Sequence, residues 1–366
     1  MTPVPYVDLV KQNSALRPSI LEAIDRVLCH GRFINGPEVD ELESKLAERL
    51  GVADVVGVSS GTSALTLAMR ALGIGPGDEV ITVAHSYVAT ATSIILVGAT
   101  PVFVDIDPRT GLMDPDKLDA AVSPRTKAVM PVHLGGVPCE MGPIQEICEV
   151  HGLELIEDCA QAIGATHYGR SVGAFGTGCF SMHPLKTLSA CGDAGFISTN
   201  DPERGALLRR LRSLGHSDRD HVEVASENAR LDTLQAAILL AKLPHLDDWV
   251  AIRRRHAATY EAALTSAFEL TGVTQGSEPA FTTFVLRHDN RDALIAHLAT
   301  RGFDAKVHYP IPIHHQRALQ GVPATELPHT EALVKRIVSL PVTPELEPSD
   351  RDRLIEAVLD WSQAHA

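Results

Sequence analysis

The stretch Val55-Val56-Gly57-Val58-Ser59-Ser60-Gly61-Thr62-Ser63 joins a short apolar run to a helical pattern that continues to residue 72. A β-branched apolar run of this length predicts a buried strand. The start of a helix carries unpaired N–H groups and the positive end of the helix dipole, so the loop between them suits a bound phosphate. An ordinary helix start, capped by Thr62 or Ser63, is the alternative.

This loop lacks two common nucleotide-binding patterns. It has no Gly-Lys-Ser/Thr, so it is not a P-loop, and it has no G-x-G-x-x-G fingerprint of dinucleotide-binding proteins. An NAD-dependent protein is therefore not indicated.

Strand-like and helical patterns alternate outward from this stretch, from about residue 20 to residue 200. We expect helices at 63–72, 89–97 and 141–151. The expected strands lie at 55–58, 79–83, 101–106, 126–134, 153–157, 180–182 and 194–199. Such alternation predicts parallel strand pairing with helices on both faces of the sheet.

The pattern changes in the second half of the chain. Helical patterns at 202–214, 228–243 and 246–264 are followed by strand-like segments at 281–286 and 305–307 and by helices at 291–301 and 349–362. Single cores stop growing near about 250–300 residues, so a chain of 366 residues suggests two domains. We place a large domain with an N-terminal arm and helix at 1–245 and a smaller α+β domain at 246–366, with the 246–264 helix as the link.

The charge balance and the segment lengths exclude several classes of function. The formal net charge of −14 argues against a nucleic-acid partner, since phosphate backbones require a basic surface. No stretch approaches the roughly 18–20 apolar residues of a membrane span. The terminus Met1-Thr2-Pro3-Val4-Pro5 has no basic region followed by an apolar core, so we expect no signal peptide and a cytoplasmic protein.

Cysteines and histidines show no ligand spacing. The six cysteines are scattered without a C-x-x-C pair, which favours free thiols in such a chain. His314 and His315 are adjacent in a Pro-rich segment, and no helical H-x-x-x-H pattern with a carboxylate is present. We therefore expect no metal site.

Two ionisable side chains follow apolar strands and could carry chemistry. Lys186 comes shortly after the strand-like Phe-Ser-Met at 180–182, and a partly desolvated lysine can attack a carbonyl. Asp158 follows the strand at 153–157, where open α/β sheets bind ligands and where a carboxylate could hold a protonated ring nitrogen. The alternatives are a solvated lysine and an acid, Glu157 or Asp158, that caps the next helix. His183 could tune Lys186, although packing or an indirect role is favoured.

Taken together, these segments resemble the DegT/DnrJ/EryC1/StrS family of sugar aminotransferases over nearly the whole chain. Any one motif is weak, but this many in order is specific. The motifs are GRFINGPEV at 31–39, SSGTSAL at 59–65, VDIDP at 104–108, PVHLG at 131–135, EDCAQA at 157–162, FSMHPLK at 180–186, NARLD at 228–232 and HYPIPIH at 308–314.

The resemblance implies the type I fold of aspartate aminotransferase: a large α/β/α domain with a mixed sheet and a smaller C-terminal α+β domain. It also implies pyridoxal 5'-phosphate (PLP) as cofactor. Lys186 would bind PLP covalently and move the proton between cofactor and substrate, and Asp158 would pair with the ring nitrogen. The remaining implied cofactor contacts are Gln161 on the ring hydroxyl, Tyr87 stacked on the ring, Gly61, Thr62 and Ser181 on the phosphate, with Ser60 beside them, and Asn228 from the partner subunit.

The implied partners are a second copy of the chain, a keto sugar that is nucleotide-linked, and glutamate or glutamine as amino donor. His308, Tyr309 and His183 would line the sugar pocket. A family dehydratase is disfavoured because those relatives replace the lysine, commonly by histidine, and a regulatory protein is disfavoured by the intact set of site residues. An aminotransferase for a keto-cyclitol or a keto-deoxy sugar acid stays open.

Overall fold

The computed structural model describes residues 3–323 and 326–365. Met1 and Thr2, on which the expectation of no signal peptide partly rests, lie outside the described residues. The first residue of the predicted large domain and the last residue of the predicted small domain lie outside them as well. Within the described ranges, no helix is both long and apolar enough to cross a bilayer.

Helices and strands alternate between residues 37 and 158. The helices are α1 (Leu9–His30), α2 (Pro37–Leu50), α3 (Gly61–Ala71), α4 (Ala89–Leu96), α5 (Leu118–Ala121), α6 (Met141–His151), α7 (Pro202–Leu211), α8 (Thr233–Lys242), α9 (Leu246–Leu264), α10 (Arg291–Thr300), α11 (Pro328–Leu333) and α12 (Pro348–Ala364). The strands are β1 (Asp54–Val58), β2 (Glu79–Val83), β3 (Thr100–Val104), β4 (Thr126–Val129), β5 (Glu154–Asp158), β6 (Thr166–His167), β7 (Arg170–Ser171), β8 (Thr177–Ser181), β9 (Gly195–Thr199), β10 (Glu269–Leu270), β11 (Ser277–Glu278), β12 (Phe284–Arg287) and β13 (Ile337–Leu340).

A seven-stranded sheet, in the order β1-β9-β8-β5-β4-β2-β3, forms the centre of the large domain. β9 is antiparallel to both of its neighbours, and the other pairs are parallel. The expectation of parallel pairing is therefore wrong at β9, whereas the mixed sheet implied by the resemblance is present.

Side chains of successive residues in a strand point to opposite faces of the sheet, because the side-chain period of a strand is two. Here both faces are covered by apolar residues. Val55 packs with α2 and α8, while Val56 and Val58 pack with α3. On β8 and β9, Phe180 and Phe196 stack with ring centroids 4.2 Å apart. The sheet is thus buried on both faces, as α/β domains require.

A second core lies in the C-terminal part of the chain. The antiparallel strands β10, β12 and β13 pack with α9, α10 and α12 around Tyr260, Leu286 and Val358. Val4 joins this core, because its N–H donates to the Gly302 carbonyl at 2.8 Å. The domain boundary at 245/246 stays a prediction, and α9 begins at Leu246.

Three expected elements differ most from the structure. The strand at 126–134 ends at Val129, and Val132 forms only an isolated bridge with Asp158. The segment 305–307 is not a strand, because only Lys306 pairs, in a bridge to Ser339. The helix expected from residue 228 begins at Thr233, since the residues before it form bridges instead of helical turns.

Candidate active site

A cavity of about 740 Å³ lies at one edge of the large sheet. β1, β2, β5 and β8 run in the same direction, so their carboxyl ends meet there, where open α/β sheets bind ligands. Eleven of the twelve predicted site residues line this cavity, and Asn228 does not. The eleven are Ser60, Gly61, Thr62, Tyr87, Asp158, Gln161, Ser181, His183, Lys186, His308 and Tyr309.

The start of α3 forms one wall of the cavity. The Ser60 hydroxyl accepts a hydrogen bond from the Ser63 N–H at 3.1 Å, so Ser60 caps the helix, and the alternative caps Thr62 and Ser63 are wrong. A Cβ atom on Gly61 would lie 2.7 Å from the Cβ of Ser181, which explains glycine at this position. The N–H groups of Gly61 and Thr62 belong to the first turn, which has no intrahelical acceptors, so they can bind an anion.

Asp158 ends β5 with a buried carboxylate. Thr90 Oγ1 donates to it at 2.8 Å and the Ala160 N–H donates at 3.2 Å. Burial raises the pKa of the Asp158 carboxyl, while these hydrogen bonds and the positive charge of Lys186 act in the opposite direction. A cation beside this carboxylate would offset the cost of burying its charge.

The neighbouring acid, Glu157, has a structural role. Its carboxylate accepts N–H groups of Gly173, Phe175 and Gly176, each at 2.8 Å, and contacts His133 Nε2 at 3.2 Å. The residues after β5 form turns instead of a helix, so the expectation that an acid here caps a helix is wrong.

The buried side chain of His133 contacts Glu157, and its backbone contacts Asp158. Its Nδ1 accepts the Cys139 N–H at 2.9 Å, so the proton of a neutral ring lies on Nε2, facing Glu157. The His133 N–H donates to the Asp158 carbonyl, and the Asp158 N–H donates to the Pro131 carbonyl. The backbone of Asp158 is therefore held from both sides.

Lys186 lies in the loop between β8 and β9. Its N–H donates to the His183 carbonyl at 2.8 Å, which forms a turn. Burial lowers the pKa of Lys186, and the Asp158 carboxylate acts in the opposite direction. Among the described residues, no carboxylate lies within 4.0 Å of its ammonium group, so the amine is available to a ligand in the cavity.

Gln161 and two tyrosines connect the large sheet to the C-terminal segment. Gln161 Nε2 donates to the Tyr309 hydroxyl at 3.1 Å, and its Oε1 accepts the Gly135 N–H at 2.8 Å. Tyr87 is 56% exposed, and its ring lies 5.6 Å from that of Tyr309. The amide of Gln161 keeps one N–H free of these contacts for a ligand.

The two predicted histidines differ in environment. Burial, with the charges of Lys186 and Lys306, lowers the pKa of His308 to about 4, so its ring is neutral at neutral pH. His308 Nδ1 lies 3.0 Å from Ser339 Oγ. His183 is exposed at the cavity wall, and its Nδ1 accepts the Leu185 N–H at 3.3 Å.

Arg253, on α9, also lines the cavity and was not predicted from the sequence. It is 3% exposed; its Nη1 donates to the Phe281 carbonyl at 3.3 Å, and its Nε has no partner among the described residues. Burial lowers the pKa of Arg253 to about 10, and the charge of Glu345 acts in the opposite direction. A buried guanidinium with unused donors is suited to an anionic group.

Asn228 is exposed and does not line the cavity of its own chain. It forms an antiparallel bridge with Ser213. Nearby, Ile34 bridges Asp232, and the side chains of Phe33 and Ile34 are 45% and 46% exposed. An apolar surface therefore adjoins the Asn228 segment.

Comparison with protein families gives a match to the DegT/DnrJ/EryC1/StrS aminotransferase family over residues 15–359. The chain belongs to this family and is an aminotransferase. The predictions of family, enzyme class and type I fold are thereby confirmed.

Two relatives act on nucleotide-linked sugars. The dTDP-3-amino-3,4,6-trideoxy-alpha-D-glucose transaminase of Streptomyces venezuelae is 40% identical over 98% of this chain and 96% of its own length. The UDP-N-acetyl-3-dehydro-alpha-D-glucosamine 3-aminotransferase of Acidithiobacillus ferrooxidans is 43% identical over 98% and 97% of the two chains.

Solved structures show the same fold. S. venezuelae DesV, in complex with a ketimine intermediate, superposes with a TM-score of 0.97 at 40% identity, covering 99% of each chain. NtdA from Bacillus subtilis, with the cofactor PMP bound, has a TM-score of 0.93 at 29% identity, covering 99% of this chain and 86% of NtdA.

Proposed function

We propose that this aminotransferase uses PLP to move an amino group from glutamate or glutamine to a keto sugar that is linked to a nucleotide. The observation that carries the proposal is the meeting of Lys186, Asp158 and the anion-binding start of α3 in one cavity. An amine, a buried acid and a phosphate site are the three groups that the aldehyde, ring nitrogen and phosphate of PLP require.

The residues present fit the cofactor. The N–H groups of Gly61 and Thr62 and the hydroxyl of Ser181 would hold the phosphate, with Ser60 fixing the helix start. Asp158 would hold the ring nitrogen, whose positive charge would offset the burial of the carboxylate. Gln161 would donate its remaining N–H to the ring hydroxyl, and Tyr87 would cover the ring. When bound, PLP supplies an electron sink for the carbon that loses its proton.

Lys186 would have two tasks. Its Nζ would hold the cofactor covalently before substrate binds, and afterwards would take a proton from one carbon and return it to another. Burial favours the neutral amine, which is the form that can accept this proton. The neighbouring Asp158 would keep its negative charge throughout, so the two groups would differ in role as well as in charge.

The substrate assignment rests on the relatives. Both relatives carry an amino-sugar or keto-sugar name with a nucleotide, dTDP in one and UDP in the other. His308, Tyr309 and His183 would face the sugar, and the neutral ring of His308 could hydrogen-bond a hydroxyl group. Arg253 would bind an anionic group of a substrate. A keto-cyclitol acceptor is the second candidate, because the cavity residues would also suit a hydroxylated ring without a nucleotide.

A homodimer with shared sites is part of the proposal. Asn228 would bind the phosphate in the cavity of the partner subunit, which agrees with its exposure and with its absence from the lining of its own cavity. The exposed Phe33 and Ile34 beside this segment supply apolar surface for the contact. The cytoplasmic location and the lack of a nucleic-acid partner stay predictions.

Borohydride reduction tests the cofactor assignment. Reduced protein should carry the mass of PLP on the peptide that contains Lys186, and Lys186→Ala should carry none. Transamination by Lys186→Ala at the wild-type rate, or labelling of another lysine, would contradict the assignment. Keto sugars with dTDP, UDP or no nucleotide, and keto-cyclitols, each assayed with glutamate and glutamine, would identify the substrates.

A further inference from the structure

Three side chains with metal-binding atoms converge outside the active-site cavity. His314 and His315 lie in a short 3₁₀ helix, Ile313–His315, and Glu331 lies on α11. Glu331 Oε1 is 3.3 Å from His314 Nε2 and 3.5 Å from His315 Nε2. All three ligand atoms lie within 4.8 Å of one another.

These distances match the spacing between ligands of a tetrahedral ion. Zn²⁺ binds histidine nitrogen and carboxylate oxygen at about 2.0–2.1 Å, so two ligands at the tetrahedral angle are separated by about 3.3–3.4 Å. The Glu331 oxygen lies at this distance from one histidine nitrogen and close to it from the other. A single ion can therefore contact the three atoms with small side-chain movements.

The contacts of the His314 ring show which of its nitrogens faces the site. Its side chain is only 6% exposed, and its Nδ1 has no partner among the described residues. Nε2 is thus the nitrogen through which this ring makes a polar contact, and it points at Glu331.

Both segments that carry these ligands are fixed to the large sheet. The Ile313 N–H donates to the Ala84 carbonyl at 2.9 Å, just beyond β2. Asp105, just beyond β3, accepts the N–H groups of His329 and Thr330 at 2.8 and 2.9 Å and the Thr330 hydroxyl at 2.7 Å. The ligands therefore stand on anchored backbone, as a preorganised site requires.

Other histidine–acid contacts lack this arrangement. His151–Asp119 and His221–Asp218 are pairs without a third ligand. In the described part of the chain, one other group of three ligands occurs, His133, Glu157 and Cys159. That group is fully buried, and backbone N–H groups occupy both oxygens of Glu157. His315, by contrast, is 52% exposed and Glu331 39% exposed, so an ion can enter from solvent.

We propose that His314, His315 and Glu331 form a Zn²⁺ site with its remaining coordination open to water. Two nitrogen ligands and one oxygen ligand suit Zn²⁺ better than Mg²⁺ or Ca²⁺, which prefer oxygen. The ion joins α11 to the segment that follows His308 and Tyr309 of the active-site cavity. It thereby stabilises the wall of that cavity without taking part in amino transfer.

Equilibrium dialysis of tag-free, PLP-loaded protein against Zn²⁺, with metal analysis, tests the site. We expect one ion per chain in the wild-type protein and at least about a 10-fold weaker affinity in His315→Ala and in Glu331→Gln, by comparison with the effect of perturbed metal shells. His221→Ala, which removes an exposed histidine from a two-residue pair, should bind as the wild type does. Co²⁺ should give the visible absorption bands of a tetrahedral complex in the wild type and lose them in both variants.

Equal Zn²⁺ binding by wild type, His315→Ala and Glu331→Gln would overturn the proposal, as would the lack of saturable binding by the wild type. Thermal unfolding guards against misfolding as an explanation. Without metal, both variants should melt within a few degrees of the wild type, because both side chains are partly exposed. With Zn²⁺, the melting temperature of only the wild type and His221→Ala should rise.

Discussion

Gln161 joins the end of β5 to Tyr309, with its Nε2 3.1 Å from the tyrosine hydroxyl, and its Oε1 binds the N–H of Gly135. One amide thus holds three segments of the cavity in place. Gln161→Leu leaves these polar groups unpaired, so we expect the protein to lose about 1–3 kcal/mol of unfolding free energy. PLP affinity should fall in the same variant, and urea unfolding and absorbance titration measure the two effects.

The matched variant Gln161→Glu keeps an oxygen acceptor for Gly135 but loses the donor to Tyr309. It should therefore retain part of the stability that Gln161→Leu loses. Unchanged PLP affinity in both variants would show that Gln161 supports the fold without touching the cofactor.

Asp158→Asn should remove a pH-dependent loss of stability from the cofactor-free protein, but it should slow catalysis by the cofactor-loaded enzyme. Burial raises the pKa of Asp158 above its value in the unfolded chain, so the folded protein holds this proton more tightly. Stability of the cofactor-free protein should then fall as pH rises from the ordinary aspartate value through the raised one. Asp158→Asn removes this fall, and chemical unfolding over that pH range measures it.

In the PLP-loaded enzyme, Asp158→Asn should lower kcat by about 10²–10³-fold, the usual effect of removing one group that stabilises charge in the transition state. If cofactor-free wild type and cofactor-free Asp158→Asn showed the same pH dependence of unfolding, this would contradict a pKa of Asp158 raised by burial. Wild-type kcat in Asp158→Asn would contradict the proposed contact between Asp158 and the ring nitrogen of the cofactor.

Arg253→Gln should weaken the binding of an anionic substrate. Hydrogen bonds to a charged group contribute about 1.5–3 kcal/mol, so KM for that substrate should rise by roughly 10–100-fold. Steady-state kinetics with donor and acceptor varied separately would show which substrate Arg253 binds. Arg255, two residues along α9 and exposed, is the matched control, and Arg255→Gln should leave both KM values unchanged.

Mixed dimers test the role of Asn228. Lys186→Ala and Asn228→Ala chains, each impaired alone, should regain activity on mixing, because one site in each mixed dimer then has neither change. Lys186→Ala mixed with Asp158→Asn is the control, since both residues line the cavity of one chain and no intact site can form. Absence of recovery in the first mixture would rule out a shared site.

Local patterns predicted the elements with clear periodicity. The helices α6 and α9 have the bounds expected from their apolar spacing, and β2 begins and ends where the run of β-type residues does. The grouping of Gly61, Asp158, Ser181 and Lys186 was also predictable, because each lies at the end of a strand or soon after it, and these strands end at the same edge of the sheet.

The remaining features depend on contacts between distant segments. The strand expected through residue 134 ends at Val129, and the chain then enters a 3₁₀ turn at Leu134–Gly136, where Gly135 and Gly136 adopt φ values of 68° and 81°. A Cβ on Gly136 would lie 2.9 Å from the Gln161 carbonyl oxygen, a close approach that local composition does not reveal. Arg253 begins a run of three arginines, a residue type that is usually exposed, and only tertiary packing buries the first of them.

The antiparallel strand β9 also bears on how the chain is synthesised. Among the described strands, β1 pairs only with β9, so residues 54–58 have no partner in the sheet until residues 195–199 have left the ribosome. At synthesis rates of about 5–20 residues per second, this delay is on the order of ten seconds. During it, the valines of β1 form an uncovered edge on which a nascent chain can aggregate, so chaperone dependence should be concentrated in this interval.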